Sequence, residues 1–204
     1  MTIKRMGALS FMGSFVLLFA LMTGVPAPLD ASSIEGQVIV RSARDNGNAI
    51  VYIDKIPGKR FTPPSTPVTL DQVNLTFIPH VLPILAGTTV AFPNSDEIRH
   101  NVFSPSPNKF DLGTYPRKMT KFQIFDKPGP VTLLCNVHAE MSAYVFVAET
   151  PYFYKTDKDG KFALRNVPPG RYVLRVWHER AKSTSREIEV VENQTVIANF
   201  ELKK

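Results

Sequence analysis

The chain holds a single cysteine, and the residues behind it are spaced for metal chemistry. In LLCNVHAEM, residues 133–141, His138 stands three places after Cys135 and Met141 six places after it. A thiolate, two imidazoles and a distant thioether make a trigonal site with a weak axial ligand, the donor set that suits copper moving between Cu(I) and Cu(II). Zinc would take the cysteine and the histidines, but with a carboxylate or a third histidine rather than a thioether. Iron–sulfur clusters need more cysteines than the chain has. The second imidazole must come from elsewhere in the sequence. Of His80, His100 and His178, His100 in NSDEIRHNVFS is best placed, in a loop just after the strand expected at Thr88–Phe92.

Each residue taken singly has a plainer reading. Cys135 could be a small buried hydrophobe, Met141 a gap filler at a strand start, and His138 a loop histidine with its hydrogen bonds met. Their coincidence is what points to a metal. With 4 His and 6 Met in 204 residues, a His at +3 and a Met at +6 from a given Cys would meet by chance about once in 1,700 trials. Four of the six Met lie in the first 22 residues, so Met141 is not drawn from a methionine-rich background.

Lys4 and Arg5 precede an apolar run from Gly7 to about Val25, the layout of a secretory signal, and residues 1–31 are set apart from the fold on that ground. The run is also nearly long enough to cross a bilayer, so retention as a membrane anchor is the alternative. Export implies an oxidising compartment. A lone cysteine there has no partner in its own chain, and is expected to be buried, paired between chains, or a ligand. The formal net charge is +6, but the basic residues are scattered and no aromatic RNA-binding motif accompanies them, which excludes nucleic acid as a partner.

The elements that must position the site read as strands. Ile34–Val40, Ala49–Ile53, Thr88–Phe92, Lys121–Phe125, Val131–Cys135, Ala143–Ala148, Tyr172–Trp177 and Thr195–Leu202 are short apolar or alternating runs. Gly, Pro, Asn and Asp clusters separate them, as at 45–48, 128–130 and 168–170. No helical period is sustained after the leader, so the fold class is all-β, built from antiparallel sandwiches. In Val131–Cys135, Val131, Leu133 and Cys135 share one face, which ends the strand with the thiol turned inward. Residues 136–141 must then reverse the chain tightly before the next strand, carrying Cys135, His138 and Met141 toward a common point.

Two resemblances follow from these motifs. FIPHVLPILAGTTVAFPNSDEIRHNVFS with PGPVTLLCNVHAEMSAYVFV, about Asn74 to Ala148, resembles the cupredoxins, the blue-copper Greek-key sandwiches, with a Cys-x2-His-x2-Met loop like that of amicyanins. The resemblance implies one type 1 copper, with His100, Cys135 and His138 as equatorial ligands and Met141 as the axial one. It also implies that Asn101 hydrogen-bonds across to the ligand loop and donates to the thiolate. Amicyanin-like loops usually carry prolines near the ligating histidine, whereas this one reads Asn136-Val137-His138-Ala139-Glu140. IEGQVIVRSARDNGNAIVYID and KTDKDGKFALRNVPPGRYVLRVWHE resemble the two halves of transthyretin-like modules related to the carboxypeptidase regulatory domain. The expected organisation is therefore a signal at 1–31, the first strands of a transthyretin-like sandwich at 34–57, a cupredoxin domain at 62–149, and the rest of the interrupted sandwich at 152–204. The whole is similar to periplasmic proteins of the methylamine-utilisation type.

The implied function is single-electron transport between periplasmic redox partners such as a c-type cytochrome or a dehydrogenase. Copper delivery or storage without a redox role is the alternative. Enzymatic copper chemistry would need further histidines for a second centre, and two of the four are already used. A membrane partner is expected only if the signal segment is retained. His80, in FIPHVLP, could approach the copper end or be an ordinary surface or core histidine. His178 follows the only tryptophan, and a packed Trp177 beside a loop histidine is preferred to an interface role.

Overall fold

The computed structural model describes residues 2, 32–105 and 108–204; the expected signal segment, Thr2 apart, lies outside them. The described chain is all-β and contains no helix. Two N-terminal strands, β1 (Ser33–Val40) and β2 (Ile50–Ile53), come first. Ten follow in the middle: β3 (Val68–Thr69), β4 (Asp71–Val73), β5 (Thr76–Ile78), β6 (Val81–Leu85), β7 (Thr88–Pro93), β8 (His100–Ser104), β9 (Phe110–Tyr115), β10 (Thr120–Phe125), β11 (Gly129–Leu134) and β12 (Ser142–Ala148). The last six are β13 (Phe153–Lys155), β14 (Lys161–Leu164), β15 (Gly170–His178), β16 (Ala181–Val190), β17 (Thr195–Ile197) and β18 (Phe200–Leu202).

The middle strands form two facing sheets, β10-β7-β3 and β6-β12-β11-β8-β9, with β4 and β5 as a separate hairpin. Alternation builds the core between them. Val90 and Phe92 of β7 and Phe125 of β10 meet Val102 of β8, Val131 and Leu133 of β11, and Val145 and Val147 of β12. Cys135 and Met141 lie in the same buried cluster, so the loop that joins β11 to β12 is seated on this core.

The N-terminal strands pair with the C-terminal ones. β2 lies between β13 and β15 in the sheet β13-β2-β15-β16, and β1 pairs with β14, β17 and β18 in the facing sheet. Their inner faces bury a separate core that includes Ile34, Val38, Val51, Ile53, Leu174 and Val176. The turn Asp157–Gly160 explains its own sequence. The Asp157 carboxylate accepts the N–H of Lys161 at 2.9 Å, and Gly160, at φ +81°, lies so close to β1 that a Cβ would stand 2.0 Å from the Val38 carbonyl oxygen.

A third apolar cluster joins the two sandwiches. Tyr144, Phe146 and Ala148 alternate with the core residues of β12 and so point to the outer face of its sheet, where they meet Ile50, Tyr52, Phe153 and Trp177. Phe146 lies 4.7 Å from Tyr52 and 5.4 Å from Trp177 between ring centroids, and Tyr144 lies 5.5 Å from Trp177. β12 is thus covered on both faces, which is why it reads as an unbroken apolar run instead of an alternating one.

Candidate metal centre

Three donors converge at one end of the middle sandwich. The ligand atoms of His100, Cys135 and His138 all lie within 4.8 Å of one another. His100 opens β8, Cys135 directly follows β11, and His138 projects from the loop between β11 and β12. His100 is fully buried, Cys135 is buried and His138 is half-buried, so one imidazole edge reaches toward solvent. The loop is closed by its own backbone: the Cys135 N–H donates to the Met141 carbonyl at 3.3 Å, and the Met141 N–H donates to the His138 carbonyl at 3.1 Å. Met141, 1% exposed, is thereby fixed on the core side of the same reversal.

The two histidines face each other through Nδ1, at 3.1 Å. For His100 the tautomer follows from its other nitrogen. Nε2 lies 2.7 Å from Asp96 Oδ2, a carboxylate oxygen that only accepts, so Nε2 carries the proton and Nδ1 turns a lone pair into the site. Two Nδ1 atoms and a sulfur around one small volume are a set that fits a soft or borderline cation. The donor chemistry therefore agrees with copper, and the Asp96 hydrogen bond adds the outer support that metal-ligating histidines ordinarily have.

Asp96 is itself held in place. Its carboxylate accepts the N–H groups of Asn74 at 2.5 Å and Leu75 at 2.9 Å, the two positive-φ residues that turn β4 into β5. Burial pushes the Asp96 carboxyl up, but the Leu75 N–H, the His100 ring and the Asn74 N–H outweigh it and hold the group below its ordinary value. Asn94 fixes the rest of this loop, donating from Nδ2 to Ile98 O at 2.9 Å and Tyr115 O at 3.2 Å and accepting the Asp96 N–H at 3.0 Å.

Asn101 ties the strand to the ligand loop. Its backbone N–H donates to Cys135 Sγ at 3.5 Å, its Oδ1 accepts the Asn136 N–H at 3.3 Å, and its Nδ2 donates to Asp111 Oδ1 at 2.6 Å. One buried residue therefore restrains both the sulfur and the loop that follows it. Beneath the site, Gln72 Nε2 donates to Tyr115 Oη at 2.6 Å, and Tyr115 in turn donates to Phe92 O at 3.0 Å. Burial foremost raises the Tyr115 phenol far above its ordinary value, so it stays protonated and remains a donor.

The other two histidines lie away from this cluster. His80 Nε2 is 3.0 Å from Glu179 Oε1, and its ring stands edge-on to Tyr144, at the seam between the sandwiches. His178 is buried and accepts the Arg180 N–H on Nδ1 at 3.1 Å. Trp177 packs across the seam on Tyr144 and Phe146, so its neighbours come from both sandwiches. Sequence reasoning passed over Asp96 and Asp111. The signal for Asp96 was an acid four residues before His100, which means little until the β4–β5 turn is seen to lie against it.

Residues 141–203 match the family model of the carboxypeptidase regulatory-like domain. The matched stretch takes in β12, whose strand partners are β6 and β11 of the other sandwich. No curated protein matches the chain. Among solved structures, the chain is similar to a Cu-containing nitrite reductase from Thermus scotoductus SA-01, at 28% identity over 48% of this chain and 25% of that one, with a TM-score of 0.40. It therefore spans about a quarter of that enzyme's length. It is also similar to an oxidised variant of amicyanin (19% identity, 40% of this chain and 81% of that one, TM-score 0.38) and to a purple cupredoxin from Nitrosopumilus maritimus (20%, 40% and 99%, TM-score 0.37).

Proposed function

We propose that the protein is an exported, non-enzymatic carrier of single electrons that holds one type 1 copper, with His100, Cys135 and His138 as equatorial ligands and Met141 as the axial one. The observation that carries this reading is the convergence of the three donors within 4.8 Å, with the His100 tautomer set by Asp96 at 2.7 Å. Copper bound there supplies a one-electron couple, and the chain's part is to keep the donors still as the charge changes. The paired strands on either side of the ligand loop, the Asn101 bridge and the Asp96 clamp serve that end. The half-buried His138 gives the short path to a partner. A periplasmic location, and c-type cytochromes or dehydrogenases of the methylamine-utilisation kind as partners, complete the proposal.

The test is a visible and paramagnetic spectrum of the protein loaded with Cu(II). An intense band at about 600 nm, lost in Cys135→Ser, is the expected result, because it requires a thiolate bonded in the equatorial plane. Uptake of zinc with no copper, or a band that persists in Cys135→Ser, overturns the assignment. Rapid release of Cu(I) to a moderate chelator, with slow electron exchange, would favour delivery over transport.

A further inference from the structure

We propose that Asp111 is a positioning residue of the metal centre, acting through Asn101: its carboxylate decides which way the Asn101 amide faces and so holds the ligand loop to β8. The proposal rests on the metal reading for its purpose, while its geometry rests on hydrogen-bond chemistry alone. Asn101 is fully buried, and both ends of its amide are used. Nδ2 donates to Asp111 Oδ1 at 2.6 Å, and Oδ1 accepts the Asn136 N–H at 3.3 Å. A carboxamide fits its site two ways round, with oxygen and nitrogen exchanged. An ionised carboxylate only accepts, so the nitrogen must face Asp111 and the oxygen must face Asn136. The reversed amide would set oxygen against oxygen at Asp111 and N–H against N–H at Asn136. A side chain at the surface thus fixes a buried one, which in turn anchors the residue next to Cys135. The Asn101 backbone N–H, 3.5 Å from Cys135 Sγ, belongs to the same anchored residue.

β9 is shaped to deliver the carboxylate. Between the pairs Asn101–Thr114 and Phe103–Asp111, β8 advances two residues and β9 three, so β9 carries a bulge. Without the extra residue, the register fixed by Asn101–Thr114 would set Leu112 opposite Phe103 and turn Asp111 to the core face. The bulge instead sets Asp111 opposite Phe103, on the face of β8 that Asn101 shares. Gly113 makes this possible. Its φ of +69° suits glycine, and its N–H donates to the same Asp111 Oδ1 at 2.8 Å. The oxygen that receives Asn101 is therefore held by its own strand as well. Asp111 is exposed, while Phe110 and Leu112 on either side pack against the core, so β9 stays seated when the carboxylate is removed.

Amide hydrogen exchange, read residue by residue by NMR on the full mature chain without added metal and again with Cu(I), tests the proposal. In Asp111→Ala only water is left to meet the Asn101 nitrogen, and water donates as readily as it accepts, so the amide loses its fixed sense. The Asn136 N–H should then exchange about fivefold faster or more. Asp111→Asn keeps an oxygen for Asn101 Nδ2 and the Gly113 N–H and turns its own nitrogen to solvent, so Asn136 should stay within about twofold of wild type. Amides of the β11–β12 ladder should keep wild-type rates in both variants, which separates loss of the anchor from loss of the fold. Wild-type exchange at Asn136 in Asp111→Ala overturns the proposal. So does exchange in Asp111→Asn as fast as in Asp111→Ala, which would assign the effect to charge and not to the sense of the amide. Chelator competition for Cu(II) carries the test to the donors: affinity should fall by about tenfold in Asp111→Ala and recover in Asp111→Asn, and equal affinity in wild type and Asp111→Ala overturns the link. The two failures are distinct. If wild type takes up no copper, the metal reading falls and the exchange difference at Asn136 still decides the role of Asp111; if copper is bound and Asn136 does not respond, this proposal alone falls.

Discussion

Asp96 Oδ2 stands 2.7 Å from His100 Nε2, and through that contact a turn between two short strands decides which nitrogen of a buried imidazole faces the donor cluster. The carboxylate is positioned by the N–H groups of Asn74 and Leu75. It then fixes the proton on His100 Nε2 and leaves Nδ1 opposite His138 Nδ1 at 3.1 Å. The relationship links a surface hairpin to the electronic character of the site.

The consequence is measurable in Asp96→Ala. Loss of an outer-shell carboxylate frees the imidazole to rotate and to take the other tautomer, and it strands two turn N–H groups. Copper affinity, measured by competition with a chelator of known strength, should fall by about 10- to 100-fold. Asp96→Asn keeps an acceptor and should fall less. Equal affinity in wild type and Asp96→Ala would remove Asp96 from its positioning role.

Much of this was legible from local pattern. The His138 and Met141 spacings are local, so the loop that carries them could be read directly. The inward face of Val131, Leu133 and Cys135 followed from strand alternation. Asp96 was not legible, because its role depends on the β4–β5 turn arriving from more than twenty residues away. The run Thr195–Leu202 read as one strand but divides into β17 and β18. A Cβ on Gly36 would stand 2.0 Å from the Ala198 carbonyl oxygen, so β1 and the returning chain meet too closely there for regular pairing. β17 pairs with Ser33–Glu35 and β18 with Val38–Val40, on either side of that approach. β16 escaped notice because it is an edge strand whose outer residues are polar, with only Ile188 and Val190 buried.

Phe146 should be the most costly single truncation at the seam. It is 2% exposed and its ring meets both Tyr52 and Trp177 across the two sandwiches. Phe146→Ala is expected to lose about 3–5 kcal/mol. It should also uncouple the sandwiches, so that a single thermal transition divides into two. A calorimetric trace that keeps one transition with little change in midpoint would show that the seam contributes little to cooperativity.

Buried His178 should make stability depend on pH. Burial foremost lowers its folded-state value below the ordinary 6.5, although Glu179, the Gly47 carbonyl and Asp45 pull the other way. The unfolded chain thus binds this proton more readily than the folded one, and stability rises with pH across the interval between the two values. The contribution is fully present above about 6.5 and is lost as pH falls below it toward the folded value. His178→Gln keeps a polar side chain of similar reach without a titrating ring. Denaturant midpoints compared between pH 8 and pH 5 should therefore fall less in the variant than in wild type. Parallel curves would assign the acid sensitivity elsewhere.

Met141 is expected to tune the site without anchoring it. Its backbone is held at both ends of the loop, by Cys135 N–H to Met141 O and by Met141 N–H to His138 O, and its side chain is buried against the core that supports Cys135. Replacement by leucine conserves volume and hydrophobicity, so the fold should lose less than about 1.5 kcal/mol. The three clustered donors keep their supports: Asp96 on His100, Asn101 on Cys135, and the closed loop on His138. Met141→Leu should therefore still bind copper and stay coloured. Removal of a weak sulfur donor in favour of hydrocarbon disfavours the more highly charged state, so the reduction potential should rise. Voltammetry of the two proteins side by side decides the matter. Complete loss of copper from Met141→Leu would mean that the thioether is a principal ligand and that the site is built more for holding and handing over the ion than for electron exchange.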